Sequence, residues 1–199
     1  LHGREHSFPT RRSSDLFIRE IEATAMASPE SRFDEVPEHS LRSVRAPLIA
    51  QQPPVVGSVR LAINGGLHNL LDSCSDVLLL GEDLHEPYGG AFKVTAGLST
   101  EFPGRVISTP ISEAGITGAG IGLAMAGRRP IVEIMFADFL TLCMDQIYNH
   151  AVKFPGMFAD CEVPVVIRAP CGGRRGYGPT HSQSPENILV SVPGLTVVY

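Results

Sequence analysis

The sequence predicts an α/β fold, a doubly wound parallel sheet with helices on both faces. Three observations carry that expectation. Short apolar runs recur along the chain without polar alternation, the mark of strands buried on both faces. Stretches with helical spacing separate these runs, which suits crossover connections between parallel strands. Polar residues gather just beyond each run, where sheets of this kind hold their ligands.

The elements follow in order. Ser58 is placed to cap a helix whose apolar face is Val59, Ile63, Leu67 and Leu70 or Leu71. Asp76 opens the strand Val77 to Leu80, and further strands are expected at Arg105 to Ser108, Pro130 to Met135, Val163 to Arg168 and Leu195 to Tyr199. Helices are expected between them at about 115–127, 140–154 and 184–191. The strand exits then gather on one rim. Gly81-Glu82-Asp83 follows the first, Thr109 to Glu113 the second, Phe136 to Phe139 the third, and a Gly-rich stretch ending in His181 the fourth.

Residues 58–199 are expected to form the compact domain, and the preceding sequence differs in character. Residues 1–16 read as a translated adapter, charged and Ser/Arg-rich, with no apolar signal-peptide core. Residues 17–28 suggest a short helix ended by Ser28-Pro29, and 29–57 have the Pro-rich composition of a linker. The last run stops inside a strand-like segment, so a fragment of a longer protein is expected.

A hydrophobic content of 43% supports a globular core. A formal charge of -5 with only 7% aromatic residues argues against a nucleic-acid groove. Cys74, Cys143, Cys161 and Cys171 form no Cys-x-x-Cys pair, which fits a reduced cytoplasmic setting. The most apolar stretch, 111–144, is broken by Arg128, Arg129, Glu133 and Asp138 before reaching the roughly 18 residues of a membrane span.

Chemistry is expected around Glu113, which stands between a strand and a helix beginning with glycines at 115, 118 and 120. Those glycines read as a surface stripped of side chains, so that a flat ring could lie beside Glu113. Gly118-x-Gly120-x-Gly122 fails the dinucleotide pattern, and the phosphate-loop motif does not occur. His68, His85 and His150 carry no motif and suggest no metal set.

Six words then stand in register: Leu80-Gly-Glu-Asp83, Gly90-Ala-Phe-Lys-Val94, Thr109-Pro-Ile-Ser-Glu-Ala-Gly115, Ala124-Met-Ala-Gly-Arg-Arg-Pro130, Asp145-Gln-Ile147 and His181-Ser-Gln-Ser-Pro-Glu186. With them the chain resembles the pyrimidine-binding domain of thiamine-diphosphate enzymes of the transketolase superfamily. Within that superfamily it is most similar to the beta chain of the decarboxylating component of 2-oxo acid dehydrogenase complexes.

The resemblance implies thiamine diphosphate as cofactor, with magnesium and the diphosphate held by an alpha chain or fused alpha region. It implies that Glu113 hydrogen-bonds a ring nitrogen of the aminopyrimidine and promotes its imino tautomer. Burial would favour the neutral acid there and a helix N-terminus the carboxylate, a balance that sequence leaves open. Phe139 matches the aromatic packed on the ring, Met135 an apolar neighbour and Glu82 a second acid near it. His181 matches a histidine at the site mouth that assists acyl transfer to a lipoyl group, while Arg174 or Arg175 could meet an anionic substrate or partner. The implied reaction is oxidative decarboxylation of a 2-oxo acid with acyl transfer to lipoamide, a branched-chain acid being favoured over pyruvate.

The partners implied are the alpha region, a lipoyl-bearing acyltransferase and a second alpha–beta unit. Residues 17–30 resemble the last helix of an alpha chain, which suggests an alpha–beta fusion. The rival readings are a transketolase-type or deoxyxylulose-phosphate-synthase-type transferase, and a scaffold fragment that is catalytically incomplete on its own.

Overall fold

The computed structural model describes residues 57–173 and 175–198. The expected segments 1–16 and 17–28, nearly all of 29–57, and Arg174 lie outside the described residues.

Helix α1 spans Val59–Ser73, and the Ser58 side chain accepts a hydrogen bond from the Leu61 amide at 3.3 Å. Leu67 and Leu71 form its buried face with Ile63 and Leu70 beside them, whereas Val59, expected on that face, is 76% exposed. Strand β1 (Val77–Glu82) follows, then a 3-10 segment (Ala91–Lys93), a short helix α2 (Leu98–Glu101) and strand β2 (Val106–Thr109). Helix α3 (Glu113–Met125) leads to strand β3 (Arg129–Glu133). Beyond it come a 3-10 segment (Ala137–Cys143), a π segment (Gln146–Ala151) and the short helix α4 (Phe154–Met157). Strand β4 (Val166–Arg168) and helix α5 (Glu186–Val190) complete the described elements.

The four strands are parallel, in the order β2-β1-β3-β4. Successive side chains of a strand point to opposite faces, and the core divides accordingly. Val77, Leu79, Val106 and Ile131 pack with Leu67 and Leu71 of α1. Leu80, Val132 and Ile134 pack with Ile116 of α3 and with Cys143 and Ile147. Helices therefore cover both faces, as the continuous apolar runs require.

Two expectations change. β4 begins at Val166 rather than Val163, because Pro164 has no amide to give a ladder and delays the pairing. Residues 195–198 form no strand, since an apolar β-branched run becomes one only where a neighbour completes its hydrogen bonds.

The α3 glycines also act differently from the expectation of a bare cofactor surface. A Cβ on Gly120 would collide with the Cγ2 of Val132, so this residue lets α3 settle directly on β3. A Cβ on Gly118 would lie 2.9 Å from the Gln146 side chain. Gly120→Ala is therefore expected to cost about 1–3 kcal/mol through overpacking. Gly122, which has open space, should tolerate the same change in urea titrations.

Candidate functional site

The chain passes from β1 outward to β2, then returns across β1 to form β3 on its other side. Loops leaving β1 and β3 thus diverge and open a crevice beyond their C-terminal ends. Glu82 closes β1 there, and Glu133 to Phe136 emerge from β3.

Two acids meet behind this crevice. Glu82 is 6% exposed and Glu113, in the first turn of α3, is 8% exposed. Burial pushes the Glu82 carboxyl above its ordinary range, and the charges of Glu113 and Asp83 push it the same way. The Glu82 Oε1 is buried with no hydrogen-bond partner, and the Glu113 carboxylate finds none among the described residues. Nearby, the Cys143 thiol donates to the Glu113 carbonyl at 3.5 Å and the Phe139 carbonyl at 3.6 Å, linking the acid pair to the segment after β3. Burial pushes this thiol up; the Thr117 hydroxyl pulls against that shift, and the Glu113 and Glu82 carboxylates reinforce it.

The raised Glu82 value has a stability consequence with a definite sign. A carboxyl whose folded pKa exceeds its unfolded one stabilises the fold at acid pH, and that stability is lost as pH rises through the folded value. Glu82→Gln is expected to raise the melting temperature at neutral pH and to flatten the decline above the ordinary carboxylate range. Thermal melts from pH 4 to 8 measure it.

A surface pocket of about 450 Å³ is lined by residues that include Met135, Phe136, Tyr177 and His181. His181 stands edge-on to Phe136 at 4.9 Å and to Phe139 at 5.1 Å, and Phe136 also meets Phe92 and Tyr177. The Gly-rich loop carrying His181 is clamped from below. Buried Asp138 accepts the Gln183 backbone amide at 3.3 Å and its side-chain amide at 2.8 Å.

The pocket floor rests on a fourth buried acid. Glu133 is 1% exposed and pairs with Arg168, its register partner on β4. It also accepts the Ala91 amide at 3.3 Å. Burial raises the Glu133 carboxyl and the Arg168 guanidinium holds it down, with the upward direction prevailing. Gly90 turns above this pair with φ of 72°, and a Cβ there would crowd the Thr95 Oγ1 at 2.6 Å.

The five site residues expected from sequence therefore occupy two connected groups. Glu82 and Glu113 form the acid pair; Met135 and His181 line the pocket, and Phe139 reaches it through its ring contact with His181. Arg175 lies over the Phe92 ring at 4.9 Å. Phe92, Phe136, Tyr177, Asp138 and the Glu133–Arg168 pair were not foreseen as site residues. Glu133 offered a signal, being a carboxylate inside an otherwise apolar run that also lies level with an arginine on the next strand.

Residues 57–199 match the family described as transketolase, pyrimidine binding domain. The chain is 44% identical to a pyruvate dehydrogenase E1 component subunit beta of Leifsonia xyli, an alignment covering 77% of this chain and 47% of that protein. It is 44% identical to a 2-oxoisovalerate dehydrogenase subunit beta of Bacillus subtilis, over 69% of this chain and 42% of that protein. It is 40% identical to an acetoin:2,6-dichlorophenolindophenol oxidoreductase subunit beta of Cupriavidus necator, over 71% and 45%. The chain spans less than half the length of these relatives.

Proposed function

Because the chain belongs to the transketolase pyrimidine-binding domain family, we propose that it supplies the aminopyrimidine side of a thiamine-diphosphate site in a 2-oxo acid dehydrogenase. The observation that carries this reading is the buried acid pair, in which the Glu82 Oε1 has no hydrogen-bond partner among the described residues and Glu113 is joined through the Cys143 thiol to the backbone of Phe139. An aminopyrimidine offers nitrogen donors and acceptors and a flat face, so the acids and Phe139 fit such a ring.

When bound, thiamine diphosphate would supply a nucleophilic carbon and an electron sink for decarboxylation. The chain's own residues do the rest. Glu113 would hydrogen-bond a ring nitrogen, and burial keeps water from competing for that bond. Glu82, whose raised pKa favours its neutral form, can donate as well as accept within the same pocket. Phe139 and Met135 provide apolar surface, and His181 stands at the mouth, where a proton could pass to an incoming acyl acceptor.

Magnesium and the diphosphate belong to an alpha region in this proposal, and a lipoyl-bearing acyltransferase takes the acyl group. A branched-chain 2-oxo acid remains the favoured substrate over pyruvate, in a cytoplasmic enzyme built of paired alpha–beta units. Similarity to both pyruvate and 2-oxoisovalerate dehydrogenase subunits supports the 2-oxo acid class.

Titrating the isotope-labelled chain with thiamine diphosphate tests the proposal. With an alpha region present to hold the diphosphate, saturable NMR shifts are expected at Glu82, Glu113 and Phe139, together with decarboxylation. Absence of those shifts, or turnover by this chain alone, would refute it.

A further inference from the structure

The segment after β3 touches the Gly-rich loop carrying His181 through four consecutive residues. The Phe136 ring meets Tyr177 at 5.6 Å and His181 at 4.9 Å, both edge-on. The Ala137 amide donates to the Pro170 carbonyl at 2.9 Å, where the chain leaves β4 for the loop. The Asp138 carboxyl accepts the backbone and side-chain amides of Gln183, where the loop returns. The Phe139 ring meets His181 at 5.1 Å. Side chains three residues apart lie on one side of a 3-10 turn, which explains how Phe136 and Phe139 come to flank the same imidazole. The Phe139 amide donates to the Phe136 carbonyl at 3.0 Å and closes that turn.

These contacts differ in what they fix. Edge-on rings attract weakly and tolerate a range of geometries, whereas a hydrogen bond is directional. The Gly172 amide donates to the Gln183 carbonyl at 3.2 Å, and the Thr180 hydroxyl lies 2.9 Å from the His181 Nδ1, but both contacts tie the loop to itself. Among the described residues, the hydrogen bonds that fasten the returning arm, Tyr177 to Gln183, to the rest of the protein all end on Asp138. That acid is buried and Gln183 is exposed, so the fixed partner is Asp138. Its Oδ1 takes both amides, at 3.3 Å and 2.8 Å.

We propose that Asp138 is the positioning residue of His181: by accepting both Gln183 amides it seats the returning arm so that the imidazole stands against Phe136 and Phe139 in the pocket wall. The acid acts through the loop and is given no contact with cofactor or acyl acceptor. The placement stands on these contacts, and its consequence for acyl transfer rests on the proposed function, in which His181 serves the incoming acceptor. Misplacement by about 1 Å can cost on the order of 10²-fold in rate, so a released arm should slow acyl transfer by roughly tenfold to a hundredfold. Decarboxylation should fall less, because Glu82 and Glu113 are carried by β1 and α3.

NMR of the full 199-residue chain reads the placement through nuclear Overhauser contacts between the His181 ring and those of Phe136 and Phe139. Asp138→Ala is expected to lose these contacts, and the His181 ring protons to move toward the positions of a free histidine. Gln183→Ala should weaken them, and Asp138→Asn, whose carbonyl can stand in for Oδ1, should keep them. The Val132 and Ile134 methyl signals report whether each variant retains its core. Should Asp138→Ala fail to fold, Gln183→Ala decides, since it alters an exposed side chain. Intact contacts in the deciding variant, or their loss in Asp138→Asn, would overturn the inference. In the enzyme assembled with an alpha region, the ratio of acyl transfer to a lipoyl peptide over decarboxylation with an artificial electron acceptor should drop at least about tenfold in Asp138→Ala and recover in Asp138→Asn. Lost ring contacts with an equal loss in both assays would leave the placement standing and remove His181 from the acyl transfer of the proposed function.

Discussion

Glu113→Gln is expected to lower 2-oxo acid turnover of the assembled enzyme by about 10²–10⁴-fold, the usual contribution of a positioned general acid or base. Folding should survive. The side chain is buried without a hydrogen-bond or ion-pair partner among the described residues, and glutamine keeps its shape. Removing its charge also relieves repulsion on Glu82, so the Glu82 titration followed by NMR should move toward the ordinary carboxylate range without reaching it, because burial remains. The competing view is that Glu113 merely complements the positive end of α3. In that case the change would cost about 0.3–1 kcal/mol of stability and leave turnover intact. Steady-state kinetics and a denaturant titration on one preparation separate the two, and near-normal turnover would remove Glu113 from the chemistry.

Arg168→Met should be the most damaging single substitution for the fold itself. It leaves Glu133, 1% exposed, without its counter-charge at the end of β3. Breaking a buried pair in this way costs about 3–5 kcal/mol, because the remaining charge is stranded away from water. The pH dependence identifies the cause. Without Arg168 the carboxyl loses the influence that lowers its pKa, so its folded value rises further above the unfolded one. The variant should then recover stability as pH falls and Glu133 takes a proton, and lose it as pH climbs. Adding Glu133→Gln should restore much of the loss at neutral pH. A loss that is the same at every pH would mean that Arg168 acts through packing alone.

Strands β1 to β4 were legible because a parallel sheet covered on both faces demands unbroken apolar runs, and Val77 to Leu80 and Pro130 to Val132 supply them. The acid at Glu113 was legible from its position between strand and helix. Other features depend on distance between elements, which spacing along a chain does not encode. Gly120 looked like room for a ligand, but the room is taken by Val132. Residues 140–154 read as one α-helix, yet they include part of a 3-10 segment and a π segment. A tighter turn followed by a wider one averages to nearly the same apolar period. The aromatic contacts of Phe92, Phe136 and Tyr177 join segments far apart in sequence, and the Asp138–Gln183 clamp spans a similar gap.

The strand order has a kinetic side. No hairpin exists among the four strands, so the first pairing available to β1 joins Leu79 to Val106, and the next joins Leu79 to Ile131. Each requires a long excursion of chain to be closed before any ladder bond repays it. Refolding from denaturant should therefore take milliseconds or longer, slower than a helical bundle of this size. Until β3 arrives, β1 is left with a bare flank that a neighbouring molecule could occupy, so dilution should improve the refolding yield.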